Sequence, residues 1–359
     1  MRVGIDLRLY SYRPAGIANY ALNLARALAC RPDVELLVYQ SRKTRQPLVN
    51  APTRILYTPC HHRFEQPALA VELFRAPIDL FHSPDFIPPF YRSFRSVISV
   101  HDLAFLFYPE YTTAESRRYY GQIRRAVASA DAILVDAEST RADLERELGV
   151  PPERVDVISL APDEAFRPLP REQVEAFHAA HRLPLGAIFW IGTFEGRKNL
   201  PGLLRAYARL RDAPPLLLAG RPGWQASEVD RLVEALGLEG RVVFFWGPSQ
   251  EALVHLYNGA ALLVFPSFYE GFGFPVLEAM ACGTPVVSSN AGSLAEVTGD
   301  GGLQVDPHDE EALACAIDAV LGSPALAADL RRRGFAHVAR FSWERCAEET
   351  LAVYRRVLG

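Results

Sequence analysis

Cysteine is scarce and scattered. Cys30, Cys60, Cys282, Cys315 and Cys346 are five in number and lie far apart. An odd set without close spacing signals neither a disulfide framework nor a zinc site, and five core thiols is the expectation. No Asp-x-Asp pair occurs in the chain, so a metal clamp built on that motif is missing. Excess positive charge is missing too: the formal net charge is −4, which argues against a general binder of nucleic acid. No apolar run approaches the roughly 20 residues of a membrane span. The opening "MRVGIDLRLYSYRP" carries charge where a signal peptide has its apolar segment. The expectation is a cytoplasmic protein. No short-period repeat and no low-complexity tract is found.

What is present is the material of two domains. A chain of 359 residues is long for one domain, at about 150 residues each. With 49% hydrophobic and 22% charged residues, each half can bury a core of its own. Short apolar runs alternate with amphipathic stretches throughout, the pattern of parallel strands with crossover helices. "RVGIDL", "VELLVYQ", "DLFHS", "SVISVHD", "AILVDA" and "VDVISL" read as strands of a first unit. After the Pro-rich "LAPDEAFRPLP" the pattern restarts with "AIFWIGT", "PLLLAG", "VVFFWG", "ALLVFPS" and "TPVVSS". Helix candidates include "AGIANYALNLARAL", "STRADLEREL" with Ser139 as N-cap, "NLPGLLRAYARL" with Asn199 as N-cap, and a closing helix after Ser342. The fold class is therefore α/β, two doubly wound Rossmann-like domains. Domain one spans 1–165, completed by the helix 342–359; domain two spans 166–341. Ligands of such sheets bind outside the carboxyl ends of the strands.

One loop at such an end carries most of the chemistry: "SFYEGFGFPVLEAMACGTPVV", Ser267 to Val287. Gly271, Phe272 and Gly273 form a tight approach, and Pro275 suits the first position of a following helix, whose N-terminus favours an anion. Glu270 and Glu278 stand on either side. A phosphate site alone would want N–H groups and cations, so the acids point to hydroxyls on the same ligand, since an ionised carboxylate can accept from two O–H donors. Each acid taken singly is as well explained by a solvated loop or by the helix dipole, with Glu278 in the first turn. Together with the turn they describe a nucleotide-sugar.

The stretch resembles the E-x7-E signature of retaining glycosyltransferases of the GT-B fold, in particular family 4. Similarity extends over nearly the whole chain: "AGIANYALNL" resembles the glycine-rich first loop, "SVHDL" the histidine loop, and "GTFEGRKNL" the basic phosphate loop. The resemblance implies two Rossmann-like domains facing across a cleft. The second would bind the nucleotide-sugar and the first a glycan or lipid-linked acceptor. It implies that Arg197 and Lys198 meet the diphosphate and stabilise the departing charge, replacing a metal. Glu270 would position the sugar, Glu278 bind the ribose and His101 lie beside the transferred sugar. Gly16 would offer N–H groups at the first helix, and Gly247 with Pro248 would hold the base. Where some members carry an arginine directly after the strand glycine, this chain has Thr193, and Arg197 would take over that contact. No metal and no bound cofactor are expected. The donor is a co-substrate, GDP-mannose first, with transfer to a growing glycan of surface-polysaccharide assembly. Competing readings are a UDP-sugar-dependent glucosyltransferase, a nucleotide-sugar epimerase or phosphorylase, and a non-catalytic nucleotide-sugar sensor. The segment "SRRYYGQIRRAVASA" sets Arg117, Arg118, Arg124 and Arg125 on one helical face opposite Tyr120, Ile123 and Val127. It fits peripheral contact at the inner membrane surface and packing on its own domain equally well.

Overall fold

The apolar runs pair side by side in parallel, as β-branched and leucine-rich segments buried on both faces do. A computed structural model describes residues 1–12, 16–223 and 226–359. Its first sheet holds β1 (Arg2–Asp6), β2 (Glu35–Ser41), β3 (Thr53–Leu56), β4 (Leu80–Ser83), β5 (Arg95–Val100), β6 (Ala132–Val135) and β7 (Val155–Val157). Their order is β3-β2-β1-β4-β5-β6-β7. The second sheet holds β8 (Ile188–Thr193), β9 (Leu216–Arg221), β10 (Val242–Trp246), β11 (Leu262–Phe265), β12 (Val286–Ser289) and β13 (Leu303–Val305), in the order β10-β9-β8-β11-β12-β13. In each sheet the chain winds one way, then reverses. The reversals fall between β1 and β4 and between β8 and β11. Each leaves a crevice at the strands' carboxyl ends.

Two of these strands are not visible as apolar runs. In Thr53–Leu56 only Leu56 is buried, and Leu303–Val305 is half-buried throughout. Both close an edge of their sheet, where one side has no strand to pack against and the hydrophobic signal fades. The units divide between Leu160 and Ala161 rather than at residue 165, and Ser342–Gly359 groups with the first.

Caps mark the helix starts. Asn199 Oδ1 accepts from Gly202 N at 3.2 Å, and Ser342 Oγ from Arg345 N at 3.1 Å. Ser139 is no cap: its helix begins one residue earlier, at Glu138, behind Ala137. The helix Trp343–Leu358 packs on the first unit through Trp343, Ala347, Leu351 and Tyr354. There Tyr354 Oη is 2.5 Å from His82 Nδ1, His82 Nε2 is 2.8 Å from Ser99 Oγ, and Ser99 Oγ is 2.8 Å from Tyr20 Oη. Burial pushes the His82 imidazole down to about 3, so it is neutral in this chain of hydrogen bonds.

Two expectations need correction. Cys30 and Cys315 are exposed, so the five thiols are not all in the core. The arginine-rich segment is two helices, Ala114–Tyr120 and Ile123–Ser129, broken at Gly121 and Gln122. Ile123 and Val127 lie in the first unit's core with Ile98, Val100 and Leu144, and the Tyr120 ring packs on Phe105 at 5.0 Å. Their apolar face is spent inside the domain, which favours the packing alternative. Among the described residues no single helix is long and apolar enough to cross a membrane.

Candidate active site

The reversal point of the second sheet gathers the loops after β8 and β11. After Thr193 at the end of β8, Gly196–Lys198 makes one 3-10 turn, and Asn199 at φ +51° starts the next helix. Phe268 N–H donates to the Arg197 carbonyl at 2.8 Å and ties the two loops together. Across this tie, Lys198 Nζ donates to Glu270 Oε1 at 2.5 Å and Arg197 NH1 to Glu270 Oε2 at 3.0 Å. Arg197 also reaches Glu195 Oε2 at 3.1 Å and the Tyr269 carbonyl at 3.2 Å. Glu270 and Lys198 are both buried. Burial alone would neutralise Glu270, yet Lys198 and Arg197 outweigh it and hold the carboxyl below its usual range. Burial is also the largest influence on Lys198 and pulls its ammonium below the usual range, with Glu270 opposing. Two cations, Arg197 and Lys198, stand here against two carboxylates, Glu195 and Glu270, so what the cluster offers an anion is N–H donors at the carboxyl ends of the strands rather than a surplus of charge.

The turn behind Glu270 leads into a helix whose N-terminus is left without a side-chain cap, the kind of end that favours an anion. Gly273 precedes the helix Phe274–Cys282 at φ +113°, a conformation for glycine, and no side chain caps that helix. A Cβ on Gly273 would lie 2.6 Å from Leu294 Cδ2. Phe272 is buried against Phe274 and Phe341, which anchors the turn between Gly271 and Gly273. Ser293 Oγ donates to the Glu270 carbonyl at 2.8 Å and fixes the turn's start. Pro275 is the helix's second residue, not its first. Glu278 is its fifth, so it lies beyond the first turn, and its role in complementing the dipole falls away. Instead Tyr257 Oη donates to Glu278 Oε2 at 2.7 Å. Burial pushes the Glu278 carboxyl up to about 7 against the effect of that hydrogen bond.

Comparison with known proteins decides what this arrangement belongs to. The family described as Glycosyl transferases group 1 matches residues 176–337, and Glycosyltransferase Family 4 matches residues 14–166. The O-antigen chain mannosyltransferase B of Escherichia coli is 37% identical over 284 residues, 77% of this chain and 74% of that protein. The chain belongs to glycosyltransferase family 4. Its fold is GT-B. Sucrose-phosphate synthase from Thermosynechococcus elongatus superposes with a TM-score of 0.80 at 23% identity, covering 99% of each chain. The Anabaena protein HepE, solved with UDP and glucose, also superposes at 0.80, with 18% identity over 99% of this chain and all of that one.

The transferase's remaining predicted positions fall into place unevenly. His101, at the end of β5, is buried with both ring nitrogens engaged: Nδ1 lies 2.6 Å from Asp136 Oδ2, and Nε2 2.9 Å from the Pro84 carbonyl. Burial disfavours the imidazolium, but Asp136 outweighs it and raises the His101 pKa. Contact with a sugar through a ring nitrogen therefore requires the Pro84 bond to open. Gly16 precedes the helix Ile17–Ala29 at φ +40° with an open surface around its Cα. Its neighbours Arg13, Pro14 and Ala15 lie outside the described residues. Gly247 follows β10 at φ +61°, but its N–H is spent on the Gly220 carbonyl at 2.7 Å, so only acceptors remain there for a base.

Three supporting residues escaped the sequence reading: Tyr257, Asp136 and Ser293. Tyr257 sits in a helix with an ordinary apolar pattern, and nothing local marks its hydroxyl. Asp136 was the more readable one, since an acid directly after a buried strand faces the ligand end of the sheet. Among the described residues, no three His, Cys, Asp or Glu side chains form a metal-binding group.

Proposed function

We propose that this glycosyltransferase moves a hexose, mannose first, from a nucleotide-sugar to a glycan acceptor in surface-polysaccharide synthesis, with retention and without a metal ion. The observation that carries the reading is the Arg197–Glu270–Lys198 cluster, set beside the uncapped N-terminus of the helix Phe274–Cys282. Arg197 and Lys198 hold the diphosphate and stabilise the charge that grows on its outer oxygen as the bond from that oxygen to the anomeric carbon breaks. Glu270 orders both cations and keeps lone pairs for the sugar's hydroxyls. The acceptor oxygen attacks on the face the phosphate leaves, and its proton passes to the departing phosphate oxygen. No protein nucleophile is needed. Glu278, once ionised, accepts the two ribose hydroxyls. His101, with both ring nitrogens engaged by Asp136 and the Pro84 carbonyl, has no free nitrogen to act as a base. Mannose is favoured by the mannosyltransferase name of the Escherichia coli relative.

The test is a melting and calorimetry panel of GDP, UDP, ADP and dTDP with their sugars, on wild type and Glu278→Ala, followed by NMR of the product's anomeric configuration. A ligand that binds only the folded state raises stability by about RT ln(1 + [L]/Kd). The reading expects one nucleotide to stabilise the wild type and the variant to lose the response. A UDP response would favour glucosyl transfer. Binding without turnover of any donor would favour a sensor, and an inverted product would overturn retention.

For a lipid-linked acceptor we assign peripheral membrane contact to a different place from the arginine-rich helices. Phe64, Val71 and Phe74 are 55%, 76% and 72% exposed, Val71 on the helix Glu65–Glu72 and the two phenylalanines just beyond its ends. The Arg63 and Arg75 guanidinium groups lie over the Phe64 and Phe74 rings at 4.6 and 5.2 Å. Exposed apolar side chains beside cations suit an anionic lipid surface. Co-sedimentation with anionic vesicles should fall sharply in a Phe64→Ser, Phe74→Ser double variant, and unchanged sedimentation would remove the assignment.

A further inference from the structure

A diphosphate carries negative charge on each of its phosphates, and the cluster after β8 has no surplus of positive charge to set against it. Arg197 and Lys198 already face Glu195 and Glu270. The Arg197 guanidinium is divided between Glu195, Glu270 and the Tyr269 carbonyl. Thr193, the last residue of β8, brings no charge. A cation without a carboxylate of its own stands one strand away. Arg221 is the last residue of β9 and is exposed, and among the described residues its side chain has no hydrogen-bond partner, ion pair or ring contact.

Strand register decides which way Arg221 faces. Thr193 and Arg221 are paired residues of the parallel strands β8 and β9. Side chains of such a pair leave the sheet on the same face, and along one strand they alternate between faces. Thr193 therefore shares its face with Phe189, four residues earlier, whose ring packs edge-on against Tyr257 at 5.2 Å. Tyr257 lies on the helix Gln250–Gly259 and holds Glu278 of the helix Phe274–Cys282. On the other face, Ile188 and Trp190 share a core with Leu203 and Tyr207 of the helix Leu200–Ala208. Arg221 thus emerges at the carboxyl end of the sheet, on the face that carries Glu278 and the uncapped helix.

Its backbone is fixed by neighbours that make no use of its side chain. Phe194 N–H donates to the Arg221 carbonyl at 3.3 Å and Gly247 N–H to the Gly220 carbonyl at 2.7 Å, which ties the ends of β8, β9 and β10 together. Glycines permit this close approach. A Cβ on Gly220 would meet the Gly192 carbonyl, and one on Gly223 the Phe194 carbonyl. A planar fork of donors on a fixed backbone is well suited to gripping phosphate oxygens.

We propose that Arg221 is a third cation of the donor site and donates to the diphosphate of the nucleotide-sugar, beside Thr193, which offers no charge. This gives to β9 a contact that the sequence assigned to Arg197. The proposal rests on the reading of a nucleotide-sugar donor above and adds one binding residue to that site.

Calorimetry on the whole chain tests it, with GDP, UDP, ADP and inorganic pyrophosphate as probes. The proteins are wild type, Arg221→Gln, Arg221→Lys, and Arg221→Gln combined with Thr193→Arg. Losing one charge-assisted contact should weaken every nucleoside diphosphate that binds the wild type by about tenfold or more, by a common factor, and pyrophosphate likewise. Arg221→Lys, which keeps the charge and loses the fork, should lie between the two. Returning a guanidinium at the paired position, in the double variant, should regain affinity over Arg221→Gln, which a merely structural role for residue 221 does not predict. Melting without ligand should be the same in Arg221→Gln as in wild type, because no contact is lost. Undiminished nucleotide binding by Arg221→Gln would overturn the proposal and leave the donor reading standing. A loss confined to one base would also overturn it, by making Arg221 a base contact. A loss confined to pyrophosphate would do the same, by placing the phosphate outside the donor. If no nucleotide binds the wild type, the donor reading fails and the proposal falls with it.

Discussion

Glu278 should make donor binding depend on pH in the neutral range. Its carboxyl stands at about 7, against an ordinary 4.5, because burial penalises its charge. A ribose diol needs the ionised form, which Tyr257 stabilises by donating at 2.7 Å. With a pKa of 7, about a tenth of the molecules are ionised at pH 6 and about nine-tenths at pH 8, so the donor should bind about tenfold more weakly at pH 6. The same group must leave a mark on stability, with a definite sign. Between pH 4.5 and 7 the folded chain keeps a proton that the unfolded chain has lost, so stability attributable to Glu278 falls as pH rises through that window. A shift of about 2.5 units sets a ceiling of roughly 3 kcal/mol, and the side chain's partial exposure brings the expected loss below it. Glu278→Gln removes the titration, so the variant should gain on the wild type from pH 5 to 8. Tyr257→Phe should move the binding profile to higher pH. Calorimetry with a nucleotide-sugar is the assay of choice, because a free diphosphate's terminal phosphate titrates near pH 6 itself, by analogy with phosphomonoesters. Affinity that does not change between pH 6 and 8, or a Gln variant with the wild-type slope, would refute the ribose role and the buried acid together.

Other expectations follow from single features. Lys198→Met should lower kcat by about 100- to 1,000-fold, the usual effect of losing one group that stabilises developing negative charge; a loss below tenfold would remove Lys198 from the phosphate site. Gly273→Ala forces a side chain into φ +113° and against Leu294, and should cost about 1–3 kcal/mol in denaturant unfolding while weakening nucleotide binding. His82, neutral and buried, contributes stability that is whole above pH 6.5 and is lost as pH falls toward about 3, by a few kcal/mol at most; His82→Gln should flatten that acid limb. Transfer should proceed unchanged in excess EDTA, and activity that returns only with a divalent ion would contradict the cation-based mechanism.

Much of the fold was readable because a strand buried on both faces must be apolar along its length. "IFWIGT", "LLVF" and "VISV" announce themselves this way, and the edge strands Thr53–Leu56 and Leu303–Val305 do not. Loop chemistry was readable where it is local: the Gly271–Gly273 turn, the Arg197–Lys198 pair and the two flanking acids lie within short stretches. The exact helix register was not, since Phe274 and Pro275 can each open a helix, and the difference moves Glu278 beyond the first turn. The cap at Ser139 failed for a similar reason, because Glu138 already has helical geometry in the folded chain.

The sequence by itself determined two parallel sheets, the residues at their carboxyl ends and the family to which they belong, because strand burial and turn geometry act over a few neighbouring residues. Only the tertiary structure decided what those residues touch. It brought Glu270 onto Arg197 and Lys198 across more than seventy positions, engaged both nitrogens of His101, and spent Arg8 on Asp6 and Glu65. Charge state and hydrogen-bond supply depend on such distant contacts and on burial, and no local pattern of residues encodes either.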